Sequence, residues 1–388
     1  MENSYSLNNT YIKIIQKSTN LFSIINIVFN IIIYIRYTID IYISQTIMEY
    51  MRRKVIKQGH NTLTITLPMK WAKDLNIKPG DEVDLFEKGN SIIINGEEKG
   101  KEKKAVIDIS NFTIPLLWRF IQGAYRSGCT EIKIVFDKNK NLYEDPYHYS
   151  IKHSPYAELE ENIPKKTSLV LIQSIVDRFI GMGIIEAEKN YCIIREMGEL
   201  TPKEFDNSLR RIFFVILHMF DRMIEAIEKD EFGSADIYRE IYIIDLNVDR
   251  LVDYCCRILN KISTSFPDEK KTLLFSTLFL LEIIGDEFKY ISKYITFSKK
   301  SIKETLSFAK RIKNHFETYY KLFYKFDKEQ LIEYSQDNID VWKNYYKEKD
   351  KTENKKPAED KIKSILSHLR NMCDFTFDLM ELRIEMEF

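Results

Sequence analysis

Residues 51–95 read MRRKVIKQGHNTLTITLPMKWAKDLNIKPGDEVDLFEKGNSIIIN. Arg52, Arg53, Lys54, Lys57, Lys70 and Lys73 fall between Met51 and Lys73 with no acidic residue among them. Thr62, Thr64 and Thr66 alternate with Leu63, Ile65 and Leu67, the two-residue period of a half-buried strand. Pro79-Gly80 suits the centre of a type II turn, where glycine supplies the positive φ. Two further short strands are expected at 83–86 and 91–95, separated by Gly89-Asn90. A unit of about 45 residues, mostly strand, buries too little surface to stand alone, so pairing with a second copy is expected. A small, locally basic β-unit that dimerises is suited to gripping duplex DNA.

Segment 51–97 resembles the AbrB/SpoVT family of swapped-hairpin DNA-binding domains. Arg53-Lys54-Val55, Gly59, Leu67-Pro68, Leu75, Lys78-Pro79-Gly80-Asp81, Val83 and Ile92–Ile94 carry the resemblance. It implies a β-barrel built from the interleaved hairpins of a homodimer, with basic side chains on one face contacting double-stranded DNA. Arg52, Arg53, Lys54, Lys57, Lys70 and Lys73 are the candidate contacts. Ala72 stands where relatives often carry a basic residue. A second reading is a solvated positive face on a dimerisation module, as in antitoxin relatives that mainly bind protein.

The full chain of 388 residues carries 58 basic and 58 acidic side chains, so any nucleic-acid affinity must be regional. Its five cysteines lack metal or disulfide spacing, and a cytoplasmic location is expected. Residues 1–47 form an apolar extension. Leu21–Ile35 is nearly all apolar but falls short of the roughly 20 residues that span a bilayer. It reads either as a membrane segment or as Ile/Tyr/Asn-rich text translated from upstream of a true start at Met48 or Met51.

Residues 103–197 read as a small α/β connector. Strands are expected at 105–109, 131–136 and 184–194, helices at 114–126 and 168–182, and an irregular excursion at 139–162. There is no glycine-rich phosphate loop, nucleophile elbow or paired catalytic motif, so no enzymatic role is expected. Residues 178–197 resemble the connecting domain of archaeal proteins that join an AbrB-like domain to a PhoU-like one.

From 201 to 388 glycine and proline nearly vanish, and apolar residues recur every three or four positions. This predicts a bundle with helices at 201–230, 235–262, 268–297, 299–326, 329–346 and 358–386, and a charged loop at 347–356. Asp245, Asp249 and Asp253 stand four apart, stacked on one helix face. Glu282 is the only charge between Thr272 and Gly285, and Asp286 lies one turn beyond it. A carboxylate in apolar company must be protonated, paired or bound to metal. Asp245, Asp249, Glu282 and Asp286 would form an all-oxygen site suited to divalent or ferric ions. The other reading is an acidic face salted by Arg250 and Arg257. A di-metal enzyme is disfavoured, since no Glu stands three residues before His218, His315 or His368.

Leu281-Glu282-Ile283-Ile284-Gly285-Asp286 and Asp245-x-x-x-Asp249 resemble the acidic motifs of PhoU, a phosphate-uptake regulator built from two three-helix repeats. That resemblance implies metal clusters on those motifs. Ile283 and Glu287 depart from its usual Arg and His, the second adding a carboxylate. Residues 368–384 repeat 280–296, with Arg370 aligned to Glu282 and Asp374 to Asp286, so metal is expected in the first repeat. Together the resemblances imply an α+β multidomain regulator of phosphate homeostasis of the archaeal type, acting on DNA and with a phosphate ABC transporter as partner. The alternative is an adaptor that only dimerises through its β-unit.

Overall fold

The computed structural model describes residues 52–59, 62–88, 91–96, 103–137, 167–198, 200–231, 233, 236–262, 266–296, 298, 302–353 and 360–388. The apolar extension at 1–47 and the excursion at 139–162 lie outside the described residues. The chain divides into two compact units, Met1–Gly100 and Lys101–Phe388.

In the first unit β1 (Ile56–Gln58) pairs antiparallel with β2 (Thr62–Thr64), turning at Gly59, where φ is +73°. A short helix α1 (Met69–Asp74) follows. The Pro79-Gly80 turn forms as expected: Gly80 has φ +99°, and the Asp81 N–H donates to the Lys78 carbonyl at 3.0 Å. The Lys78 N–H donates in return to Asp81 Oδ2 at 2.7 Å. Strand β3 (Val83–Lys88) then pairs antiparallel with β4 (Ser91–Gly96). These are two separate two-stranded sheets, and none of the side chains of this unit whose exposure is described is buried. Val55, Ile56, Leu63, Ile65, Leu85 and Ile92 are each more than half exposed.

The second unit contains two cores. The first belongs to a four-stranded sheet of order β5-β6-β8-β7. Here β5 (Lys104–Asp108) and β6 (Glu131–Val135) are parallel and joined by α2 (Ile114–Arg126), which starts with Pro115 in its first turn. After α3 (Ser168–Val176) the chain forms the antiparallel hairpin β7 (Met182–Ala187) and β8 (Tyr191–Glu196), and β8 also pairs with β6. Ile132 lies opposite Ile194 and Ile134 opposite Cys192, all four buried beside Leu117, Ile121, Tyr125, Ile172 and Ile175. Two expectations change here. The helix starting at 168 ends at Val176, closed by tight turns in which Arg178 and Phe179 donate to the carbonyls of Ile175 and Val176. The strand expected at 184–194 is two strands, because Glu188-Lys189-Asn190 makes a turn without glycine or proline.

The second core is the helical bundle: α4 (Pro202–Glu228), α5 (Asp236–Lys261), α6 (Asp268–Thr296), α7 (Leu306–Tyr324), α8 (Lys328–Glu353) and α9 (Asp360–Glu385). Helix α4 starts with a capping box: Thr201 accepts from the Glu204 N–H while Glu204 accepts from the Thr201 N–H, and Pro202 opens the first turn. Helices α4, α5 and α6 pack on one another, as do α7, α8 and α9, and α4–α7 and α6–α9 join the two triplets. Helix α8 runs on through the expected charged loop to Glu353. Lys and Glu are good helix formers, so a charged run marks solvent exposure, not a break. All five cysteines are buried and free. Among the described residues no helix is long and apolar enough to cross a membrane.

Phe213 joins the triplets: its fully buried ring lies 5.2–6.0 Å from those of Phe316, Tyr319, Tyr320, Phe323 and Tyr324. Phe213→Ala is expected to cost about 3–5 kcal/mol, read as a lower urea midpoint with an unchanged slope. A loss under about 1 kcal/mol would show that the triplets do not depend on this contact.

Candidate functional site

In the first unit, Arg52, Arg53, Lys54 and Lys57 lie on the strand lead-in and β1, and Lys70 and Lys73 lie on α1. All six are exposed. Ala72 is half-buried against the turn, where the Ile77 N–H donates to its carbonyl at 2.8 Å. A longer basic side chain at that position would start from a less open site than Lys73.

In the second unit, the four carboxylates expected to hold metal lie on the facing helices α5 and α6. Asp245 is 1% exposed and makes an ion pair with Lys289 Nζ at 2.6 Å. Lys289 also pairs with Asp286, so one ammonium links both carboxylates. Asp249 receives Arg178 Nη2 at 2.5 Å. Glu282 receives Arg126 Nη2 at 3.3 Å, while Arg126 Nε bonds to Asp253, the third member of the row. Gln122 Nε2 donates to Asp253 Oδ1 at 2.9 Å. Burial pushes the Asp245 and Glu282 carboxyls up to about 7, against the pull of Lys289 and Arg126 respectively. Burial also works to lower the Lys289 ammonium, but the Asp286 and Asp245 charges outweigh it and hold the group above its usual range.

The expected carboxylates therefore do come together, but each faces a cation of the protein. Among the described residues no group of three or more His, Cys, Asp or Glu is arranged to hold a metal ion. As placed, the donor set does not fit a resident ion, because ammonium and guanidinium nitrogens occupy the approach to its oxygens. Arg257 does not salt the row. It is 1% exposed and donates to the Tyr125 carbonyl at 2.8 Å and to Glu196 Oε1 at 2.9 Å. Glu287 adds nothing to the cluster either, since it turns to α9 and meets His368 Nδ1 at 2.5 Å. In the second repeat Arg370 Nη2 pairs with Asp374 Oδ2 at 2.9 Å, Asp337 is held by Arg311 and His315, and Glu333 faces solvent.

The residues missed at the sequence level are Arg126, Arg178 and Lys289. Lys289 had a signal, standing three residues after Asp286 on one helix face. The two arginines lie 127 and 71 residues from Asp253 and Asp249, and periodicity carries no information across such distances.

Residues 56–104 match the family model described as "Antidote-toxin recognition MazE, bacterial antitoxin". This match and the AbrB-type resemblance fall on the same stretch. Among curated proteins no sequence matches the chain. Among solved structures, the crystal structure of the phosphate transport system regulatory protein PhoU from Streptococcus pneumoniae aligns with a TM-score of 0.40 at 16% identity. It covers 48% of this chain and 94% of that one. Overlap of that degree leaves the function of the helices to be argued from their own residues.

Gly285 sets the spacing of the two acidic helices. A Cβ there would lie 2.9 Å from Asp245 Oδ1 and 3.5 Å from Val248 Cγ1. Alanine would gain about 1 kcal/mol in helix propensity but must push apart a buried carboxylate and a valine. Gly285→Ala is therefore expected to destabilise the second unit by about 1–3 kcal/mol in urea denaturation. A more stable variant would refute the close approach of Asp245.

Proposed function

We propose that the chain is a DNA-binding regulator of phosphate uptake whose first unit is the output half and whose helical unit is the input half. The observation that carries the output half is the run of six exposed basic residues, with no acidic residue in sequence from Met51 to Lys73, on a β-unit matching the MazE family model. The exposed apolar side chains of its strands support assembly with a second copy into an interleaved barrel, because isolated two-stranded sheets are marginal in water. Such a dimer presents twelve of these basic groups, two copies of six, to duplex DNA. The input half is supported by Leu281–Asp286 and Asp245-x-x-x-Asp249 standing on adjacent helices, as the PhoU resemblance implies. Its partner on this reading is a phosphate ABC transporter or another phosphate-signalling protein.

The family description, antidote-toxin recognition, favours a second reading in which the β-unit only dimerises or grips protein and the chain is an adaptor.

A salt titration separates the two. On the first reading the chain binds random duplex DNA at low salt, and log K falls linearly with log salt, by about 0.9 for each phosphate neutralised. Replacing Arg53 and Lys54 together by alanine removes four contacts from the dimer and is expected to reduce that slope by about 3.6, four times the per-phosphate value. No measurable affinity at low salt would leave the adaptor reading. Mapping of bound DNA in cells at high and low phosphate then tests the regulatory half, with occupancy expected to change between the two conditions.

A further inference from the structure

We infer that the outer face of α8 is a self-association surface, on which α8 of a second copy of this chain lies antiparallel across a two-fold axis at Ile339. The inference rests on the second unit alone and is independent of the reading given to the first.

Helix α8 carries Ile332, Ile339 and Tyr346 seven residues apart, exposed by 72%, 47% and 46%. Among the described residues no other helix carries three exposed large apolar side chains. Seven residues fall about 20° short of two full turns, so the three form one stripe about 21 Å long. Ser335, Gln336 and Lys343 are exposed between them, and Trp342 borders the stripe beneath the Arg370 guanidinium, 4.5 Å away. The opposite side of the helix is already committed, with Tyr334, Val341 and Tyr345 buried in the bundle core. Helix α8 is therefore apolar on two faces, and the bundle uses one. A seven-residue apolar repeat on the other is the spacing by which two helices pack knobs into holes.

Charge selects the occupant and its direction. Glu329 and Glu333 stand on one flank of the stripe in the N-terminal half of α8. Lys343 and Lys347 stand on the same flank in the C-terminal half, and all four side chains are exposed. When two such helices lie antiparallel, like flanks meet with their halves reversed. The acids of one copy then face the lysines of the other, and the two-fold axis repeats the match. A parallel copy would bring acidic half to acidic half. In the antiparallel register Ile339 meets itself and Ile332 meets Tyr346, so the surface is complementary to itself. Exposed ion pairs add little affinity, so these charges fix orientation while the apolar stripe supplies the burial.

Disulfide crosslinking of the full chain tests this contact separately from any pairing of the first unit. All five native cysteines are buried, so an introduced surface thiol reacts without competition from them. Ile339→Cys places one thiol from each copy at the axis, and Phe214→Cys places a thiol at a similarly exposed position on α4 as the control. Under mild oxidation Ile339→Cys is expected to form a covalent dimer at least about tenfold faster than Phe214→Cys, because facing thiols are held within disulfide reach. Equal rates, or no dimer, overturn the inference and leave the stripe to a different protein. Charge reversal then reads the orientation. Adding Glu333→Lys to Ile339→Cys is expected to slow crosslinking, by up to about fivefold for each of the two symmetric pairs, and adding Lys347→Glu as well is expected to restore it. A second reversal that slows the reaction further overturns the antiparallel arrangement. Neither reversal touches the bundle core, so a change in folding does not account for rescue.

Discussion

The second unit is organised around a charge that has nowhere to go. Arg257 has the largest fully buried side chain of the described residues, and a guanidinium out of water is tolerated only when its protons find acceptors. It finds them in the Tyr125 carbonyl at the end of α2 and in Glu196 at the end of β8, with the Tyr125 ring 4.9 Å away. Glu196 in turn holds Lys261, one helical turn further along α5. One turn back, Asp253 is equally buried and held by Arg126 and Gln122. Removing either member of such a pair strands the other, at a cost of about 3–5 kcal/mol. Hydrophobic contact alone would let α2 slide along α5; these pairs allow one register.

That register explains why two separate hydrophobic cores behave as one compact unit. Tyr125 stacks on Phe179 at 4.3 Å and donates its hydroxyl to the Ile180 carbonyl at 2.9 Å, so the end of α2 and the turn carrying Arg178 are fixed together. The charges of the second triplet are settled internally: Arg370 lies on the Trp342 ring and pairs with Asp374 on its own helix, while Asp337 is held by Arg311 and His315 across α7 and α8. The two triplets share a helical plan and differ in electrostatics, because among the described residues the arginines of the α/β layer meet the first.

Much of this was legible in the sequence. The bundle helices, α2 and the Pro79-Gly80 turn lie close to where spacing and turn chemistry put them, since each is decided within a few residues of itself; the exceptions are α7, which starts at Leu306 and not 299, and α8, which runs on to Glu353. The β7–β8 hairpin was not legible, because Glu188-Lys189-Asn190 carries neither glycine nor proline and Asn190 is a single, weak turn signal. The convergence of Asp245, Asp249, Glu282 and Asp286 was visible from helix spacing, but what meets them was not. Two of their partners are arginines from the α/β layer, and nothing in the local pattern around Arg126 or Arg178 separates them from other surface arginines. The Glu287–His368 contact is hidden for the same reason: it joins α6 to α9, 81 residues apart.

The equal totals of acid and base in the chain conceal opposite arrangements. In the second unit the densest acidic row is matched by lysine and arginine at contact distance, so it projects little field beyond itself. In the first unit the six basic side chains are exposed and have no acidic neighbour in sequence from Met51 to Lys73. Between exposed charges, fields fade over about 8 Å at physiological salt, so local arrangement and not the total decides what a surface attracts.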